Sequence, residues 1–192
     1  RLNELLGTEF PFIQGGMANI ATGEFAAAVS NAGALGLIGA GGMTVDTLRE
    51  NIHKCRSLTD RPFGVNIMLM NPQAKEMAAL VAEEQIPVIT TGAGNPAPFL
   101  SMWKAAGAKV FPVVAAVALA KLVARAGADG VIAEGTESGG HVGELTTMAL
   151  VPQVCDAVDV PVIAAGGIAD GRGLLAAYAL GASGVQLGTC LL

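Results

Sequence analysis

The 192-residue sequence has few of the features that mark nucleic-acid binding or membrane insertion. Charged residues make up 14% of the chain, the formal net charge is −5, and Lys and Arg do not cluster, so no nucleic-acid partner is expected. The longest apolar stretch, 111–120, falls well short of the roughly 18 to 20 residues of a membrane span. The first residues also lack the apolar run and cleavage site of a secretion signal, which favours a cytoplasmic location without membrane attachment.

Cysteine and histidine are equally scarce. The three cysteines, Cys55, Cys155 and Cys190, are odd in number and widely separated, which fits neither a disulfide framework nor a Cys-x-x-Cys metal or redox pair. We expect each to be a small buried or half-buried apolar side chain, and we expect no metal site. Of the two histidines, His53 lies among basic neighbours on the polar face of a helical segment and is expected to be solvated.

Apolar residues are abundant instead, at 52% of the chain, enough to bury a substantial core and to make residues 1–192 one expected domain. They form eight short runs that are almost continuously apolar, as parallel strands covered on both faces are. The runs are PFIQGG from Pro11, ALGLIGA from Ala34, FGVNIML from Phe63, PVITTGAG from Pro87, KVFPVV from Lys109, GVIAEG from Gly130, PVIAAGG from Pro161 and GVQLGT from Gly184.

Helix-like, Ala-rich segments separate these runs, giving a repeat of about 25 residues. The segments are Thr22–Asn31, Val45–Ser57, Gln73–Glu84, Pro98–Ala106, Val117–Ala126, Thr147–Ala157 and Arg172–Leu180. A repeated strand–helix unit predicts parallel strands joined by right-handed crossovers. Several segments end in a similar joint, with Gly33, Gly107, Gly127 or Gly181 just past the helix, where glycine closes a helix C-terminus.

Eight strand–helix repeats predict an α/β fold of the (β/α)₈ TIM-barrel type. Because only Cys190–Leu192 follow the eighth run, we expect a barrel truncated after strand 8, without its last helix and C-terminal extension. An open doubly wound sheet is the alternative, but it typically has fewer strands and a Gly-x-Gly-x-x-Gly turn, which the first run lacks.

Residues that end the apolar runs should surround one barrel mouth, where such folds place their active sites. Glycines there also suit tight turns, so each one alone has a purely structural explanation. Gly166, Gly167, Gly188 and Thr189 follow the seventh and eighth runs, however, where barrels commonly bind phosphate through backbone N–H groups. The pattern predicts a phosphate-bearing cofactor or substrate.

The stretch ESGGHVGE, residues 137–144, follows the sixth run and carries the second histidine, His141, between glycines. A lone loop histidine is usually an ordinary polar residue. At the barrel mouth, however, its side chain is suited to transfer a proton near neutral pH. His141 is therefore the leading catalytic candidate.

Several motifs together resemble one family. QGGMA, FGVNIMLM, TTGAGNP, VIAEGTESGGHVGELTTM, PVIAAGGIADGRG and VQLGT are similar, in content and order, to the flavin-dependent enoyl-acyl carrier protein reductases II (FabK type), within the nitronate monooxygenase-like (2-nitropropane dioxygenase) superfamily. The resemblance runs through the whole chain. Two departures are Asn19, where an aromatic residue is common, and the Cys190–Leu192 ending, where an Arg and an aromatic residue usually follow.

The resemblance implies an FMN-containing barrel that takes hydride from NADH, or sometimes NADPH, and reduces an enoyl thioester on acyl carrier protein or coenzyme A in fatty-acid elongation. It implies His141 as the active-site histidine and a possible homodimer contact through the missing extension. The implied FMN-binding residues are Gly15, Gly16, Met17, Asn66, Glu134, Gly139 and Gly140 beside the ring, and Gly166, Gly167, Gly188 and Thr189 at the phosphate. Thr91 is a further candidate for cofactor binding because it ends the fourth apolar run at the mouth.

Two other functions stay open at this point. Nitronate monooxygenases share the fold, FMN and the histidine but oxidise alkyl nitronates with O₂. A non-catalytic flavin- or phosphate-binding barrel fragment, in which His141 is an ordinary loop residue, is the third interpretation. Substrate assays and a flavin spectrum separate the three.

Overall fold

A computed structural model describes residues 2–140 and 143–192. The described part contains eight strands: β1 (Phe12–Gln14), β2 (Gly36–Gly39), β3 (Phe63–Met68), β4 (Val88–Gly92), β5 (Lys109–Val114), β6 (Val131–Glu134), β7 (Val162–Ala165) and β8 (Gly184–Leu187). Its α-helices are α1 (Leu2–Leu6), α2 (Gly23–Asn31), α3 (Val45–Leu58), α4 (Ala74–Glu83), α5 (Ala97–Ala105), α6 (Val117–Arg125), α7 (Thr147–Cys155) and α8 (Gly171–Ala179). Short 3₁₀ turns follow β2 and β8, at Ala40–Gly42 and Thr189–Leu191.

All eight strands are parallel, in the order β1-β8-β7-β6-β5-β4-β3-β2. The two ends of this order meet through a bridge between Ile13 and Leu35. There the N–H of Gln14 donates to the Leu35 carbonyl at 2.9 Å, and the N–H of Leu35 donates to the Phe12 carbonyl at 2.9 Å. The sheet therefore forms a nearly closed (β/α)₈ barrel, which confirms the fold predicted from the repeat.

The Gln14 side chain completes this seam between β1 and β2. Its Oε1 accepts a hydrogen bond from the Leu37 N–H at 2.9 Å, and its Nε2 donates to the Gly15 carbonyl. Gln14 is only 1% exposed, so these bonds satisfy a fully buried amide. A side chain thus supplies part of the hydrogen bonding that a longer strand ladder would provide.

Apolar side chains form three clusters, one inside the barrel and two around it. The interior cluster includes Ile13, Leu37, Val88, Phe111 and Ile163. Two outer clusters lie between the strands and the helices, one around β2 to β5 and one around β5 to β8. The continuous apolar runs reflect this burial on both faces of each strand.

Helix α1 was not predicted, because five residues show too little periodicity to mark a helix. Its Leu2 and Leu6 are buried in the interior cluster, at the N-terminal end of the barrel. A Cβ added at Gly184 would lie 2.4 Å from Leu2 Cδ2, so only glycine leaves room for this contact. The short helix therefore closes the end of the barrel opposite to the expected mouth.

The seven predicted helices are present, and their observed ends differ from the predicted ones by at most two residues. The glycine joints are confirmed as well, since Gly33, Gly107, Gly127 and Gly181 all have positive φ, between 85° and 102°. Among the cysteines, Cys55 is buried and Cys155 half-buried as expected, but Cys190 is exposed in the turn after β8, so that expectation was wrong. No helix of the described residues is long and apolar enough to cross a membrane.

Candidate active site

Inward-facing side chains change from apolar to polar toward the C-terminal ends of the strands. Asn66 on β3 and Thr90 on β4 are register neighbours, and the Thr90 hydroxyl donates to Asn66 Oδ1 at 2.9 Å. Across the barrel, Gln186 Nε2 on β8 lies 3.4 Å from Glu134 Oε2 on β6. These four residues, called the polar layer below, give the mouth hydrogen-bonding groups above an apolar interior.

The Gly15–Gly16–Met17 turn after β1 lies against this layer. The Gly15 N–H donates to the Leu187 carbonyl at 2.7 Å, which fixes the turn to β8. A Cβ added at Gly16 would lie 2.3 Å from Asn66 Cβ, and one added at Gly39 would lie 2.8 Å from the Met17 carbonyl oxygen. The bare backbone of these glycines is what lets the turn reach across β2 to the polar layer.

Thr91, one of the predicted cofactor-binding residues, does not join this group. It is the register neighbour of Ile67, whose side chain belongs to an outer cluster, so Thr91 faces the helices rather than the mouth. Its buried Oγ1 has no hydrogen-bond partner among the described residues. Thr90, one residue earlier, has the inward position.

Glu134 is the ionisable member of the polar layer. Burial raises the pKa of its carboxyl because the charged form loses hydration, and the nearby Ser138 side chain offsets part of this effect. Glu134 thus retains a proton to higher pH than an ordinary glutamate does.

The loops after β7 and β8 offer bare backbone. Gly166 and Gly167 have φ values of 104° and 71°, a left-handed pair that suits glycine. The N–H groups of Gly167, Gly188 and Thr189 donate to no other described residue. The N-terminus of α8 differs, since the Asp170 carboxylate accepts from the Arg172 and Gly173 N–H groups at 2.9 and 3.2 Å. The two loops therefore offer free donors for an anion, whereas the Arg172 and Gly173 N–H groups of α8 are already occupied by Asp170.

The loop after β6 joins the same mouth. Its base is tied by the Thr136 N–H, which donates to the Leu145 carbonyl at 3.0 Å. Gly139 and Gly140 are exposed there, and a Cβ at either would meet nothing within 4 Å. His141 lies outside the described residues, so its catalytic role stays a prediction.

The other histidine lies far from this mouth in the fold. The His53 ring on α3 is exposed and lies 3.0 Å from Glu84, which Arg49 and Arg56 also contact. This is a surface ion-pair network. It is consistent with the solvated role expected for His53, with an acidic partner that the sequence did not indicate.

Comparison with known proteins identifies the relationship. The profile of the family described as "Nitronate monooxygenase" matches residues 1–84 and 76–192, which together cover the whole chain. The chain belongs to the nitronate monooxygenase family. This is a family of FMN-dependent oxidoreductases that includes the FabK-type reductases, and the resemblance identified from the motifs is confirmed at that level.

Three relatives show the range of the nitronate monooxygenase family. FabK from Thermotoga maritima is 55% identical in sequence, with a TM-score of 0.98 over 100% of this chain and 61% of its own. A nitroalkane oxidase from Streptomyces ansochromogenes is 31% identical, with a TM-score of 0.91 over 99% of this chain and 67% of its own. The (3aS,4S,5R,7aS)-5-hydroxy-7a-methyl-1-oxo-octahydro-1H-indene-4-carboxyl-CoA dehydrogenase of Rhodococcus jostii is 44% identical over 98% of this chain and 53% of its own. The chain thus spans about half the length of this last relative.

Two residues of the mouth were missed by sequence reasoning. Thr90 and Gln186 point inward in the polar layer, but both lie inside apolar runs and not at their ends. The alternation of side chains along a strand was the available signal, since residues two positions apart share a face. Counting back two residues from Gly92 and from Gly188 would have selected both.

The described part of the chain contains no group of three or more His, Cys, Asp or Glu side chains that could hold a metal ion.

Proposed function

We propose that this protein is an FMN-dependent enoyl-thioester reductase of the FabK type, which uses NADH or NADPH to reduce trans-2-enoyl groups in fatty-acid elongation. The observation that supports this most strongly is the 55% identity to FabK from Thermotoga maritima, with a TM-score of 0.98 over the whole chain.

A thioester substrate has a second source of support. The relative from Rhodococcus jostii is named for a carboxyl-CoA substrate, and it is 44% identical over 98% of this chain. The likeness to FabK and the likeness to a carboxyl-CoA dehydrogenase together favour an acyl group carried on acyl carrier protein or coenzyme A as the substrate here.

The residues of the mouth fit the phosphate of FMN. Unpaired N–H groups of Gly167, Gly188 and Thr189 are the donors that a phosphate needs, and the left-handed Gly166–Gly167 pair leaves their backbone bare. The position after β7 and β8 is where barrels commonly hold phosphate. We therefore assign Gly166, Gly167, Gly188 and Thr189 to the phosphate in this proposal.

The ring of FMN is assigned to the opposite part of the mouth, beside the Gly15–Gly16–Met17 turn and the polar layer. Asn66, held by Thr90, and Glu134, beside Gln186, supply hydrogen-bonding groups for the polar edge of the ring. Gly139 and Gly140 present open backbone from the loop after β6. Thr90 takes the place that the end of the fourth apolar run had suggested for Thr91.

FMN bound there would supply hydride transfer from the nicotinamide to the β-carbon of the enoyl thioester. The protein must then stabilise negative charge on the thioester oxygen and deliver a proton to the α-carbon. We assign the proton to His141, because it is the histidine of the loop that borders the mouth. Closure of the mouth around the substrate by this glycine-rich loop would exclude water.

Nitronate monooxygenase activity is the second candidate, favoured by the nitroalkane oxidase at 31% identity and by the name of the family. Two assays on one preparation separate the candidates. Crotonyl-thioester-dependent oxidation of NADH, without nitronate-driven oxygen uptake, is the result expected here. Oxygen uptake driven by an alkyl nitronate, without reductase turnover, would replace the proposal with the second candidate, and a protein that binds no flavin would rule out both.

A further inference from the structure

Glu137 connects three parts of the mouth, although no cofactor role was predicted for it. It follows β6 by three residues, and its carboxylate accepts hydrogen bonds from a residue of α7. Thr147 N–H donates to Oε2 at 2.8 Å and lies 3.1 Å from Oε1, and the Thr147 hydroxyl donates to Oε2 at 2.8 Å. Both oxygens of the carboxylate thus face the first turn of the helix.

This contact replaces a missing helix cap. Thr146 is the N-cap residue of α7, but its side chain makes no capping hydrogen bond. The Glu137 carboxylate instead satisfies the Thr147 N–H from a different segment, and its negative charge complements the helix N-terminus. The loop after β6 and α7 are therefore connected by a charge-assisted contact as well as by the chain.

The Thr147 side chain also contacts the turn after β7. The Thr147 Oγ1 lies 3.0 Å from the Gly166 carbonyl and 3.2 Å from that of Ala165. A Cβ added at Gly166 would lie 2.7 Å from this Oγ1, and one added at Gly167 would lie 3.1 Å from Glu137 Cβ. The glycine pair proposed to hold the phosphate is thus packed directly against the Glu137–Thr147 contact.

We propose that Glu137 is a positioning residue: through Thr147 it holds the loop after β6 and the Gly166–Gly167 turn in the one arrangement that receives the FMN phosphate. The part of this role that concerns FMN rests on the proposed function, whereas the Glu137–Thr147 contact does not depend on it. Backbone hydrogen bonds tie only the base of the loop, through the Gly135 N–H to the Ala165 carbonyl at 3.0 Å and the Thr136 N–H to the Leu145 carbonyl at 3.0 Å, and the part of the loop around Glu137 is connected to the turn by side chains.

Hydrogen exchange measured by mass spectrometry tests this without any activity assay. In Glu137→Ala, amide exchange at the start of α7 should become roughly tenfold faster, the factor that about 1.4 kcal/mol of lost local stability produces, and the amide resonances of Gly166 and Gly167 should shift in a ¹H–¹⁵N spectrum. Glu137→Gln should restore most of the protection, because its amide oxygen still accepts from Thr147 N–H. The matched control is Glu144→Ala in the same loop, which should exchange like the wild type.

FMN affinity provides the second readout. Glu137→Ala should raise the dissociation constant of FMN by roughly tenfold and Glu137→Gln by much less. Faster exchange in α7 with unchanged Gly166 and Gly167 amide resonances would reduce Glu137 to a helix cap and overturn the proposal, as would a Glu137→Ala variant indistinguishable from Glu144→Ala. If the wild type binds no FMN, the proposed function fails, while exchange in the flavin-free protein still decides the role of Glu137.

Discussion

Gly16 and Asn66 are in such close contact that no side chain fits between them. A Cβ added at Gly16 would lie 2.3 Å from Asn66 Cβ and 2.7 Å from Nδ2. The contact joins the turn after β1 to β3 past the end of β2, while the Thr90 hydroxyl fixes Asn66 from the other side. The position of Asn66 is therefore set jointly by a glycine and a threonine.

Gly16→Ala should displace Asn66 and weaken FMN binding. Overpacking of this kind costs about 1 to 3 kcal/mol, so we expect the dissociation constant of FMN to rise roughly tenfold or more. Fluorescence titration of the flavin measures it. Gly171→Ala is the control, since a Cβ at Gly171 meets nothing within 4 Å. Equal FMN affinity in both variants would show that the ring does not depend on this contact.

Gln14→Leu should destabilise the barrel at its seam. The substitution leaves the buried Leu37 N–H without its acceptor, which costs about 1 to 3 kcal/mol in the free energy of unfolding. Urea denaturation measures this free energy. Gln153→Leu, on the exposed face of α7, should change it by less than about 0.5 kcal/mol. A seam variant as stable as this control would mean that the backbone bonds alone close the barrel.

Glu134 should make the free energy of unfolding fall as pH rises, whereas an ion-paired carboxylate makes it rise. Since burial raises its pKa in the folded protein, the folded state binds the proton more tightly than the unfolded state. The resulting stabilisation is present at low pH and is lost as pH rises from the ordinary glutamate value of about 4.3 through the raised pKa. Urea titrations across this window should show a slope that Glu134→Gln removes and Glu144→Gln retains. A slope unaffected by Glu134→Gln would place its origin at another group.

His141→Ala should lower turnover while FMN remains bound. Loss of a general acid typically costs about 10² to 10⁴ in rate, which steady-state assays with NADH and an enoyl thioester resolve. His53→Ala, in the exposed network on α3, should keep the turnover of the wild type. Unchanged turnover in His141→Ala would remove this histidine from the mechanism.

The fold followed from the sequence because its signal is repeated. Eight apolar runs, seven amphipathic segments and glycines at the helix ends all recur with one spacing, so local errors at element ends did not alter the topology. Helix α1 escaped prediction because it occurs once, outside the repeat. Its stability comes from Leu2 and Leu6 in the barrel interior, which is a tertiary effect.

The candidate site could be predicted from the sequence less completely than the fold. Glycines at the ends of runs marked the mouth, since loops that approach a ligand or another strand closely are rich in glycine. Side-chain direction within a strand was harder to assign, and Thr91 was chosen where Thr90 faces inward. Gln14 and Glu137 act through partners 23 and 10 residues away in sequence, and no local pattern predicts such pairings.

An anaerobic flavin titration tests the central claim most directly. The purified protein should show an oxidised flavin spectrum, lose its visible absorbance on addition of NADH or NADPH, and regain it on addition of crotonyl thioester. That sequence would demonstrate both half-reactions of an enoyl reductase. A flavin that is bleached by neither nucleotide, or one that the thioester does not reoxidise, would contradict the account.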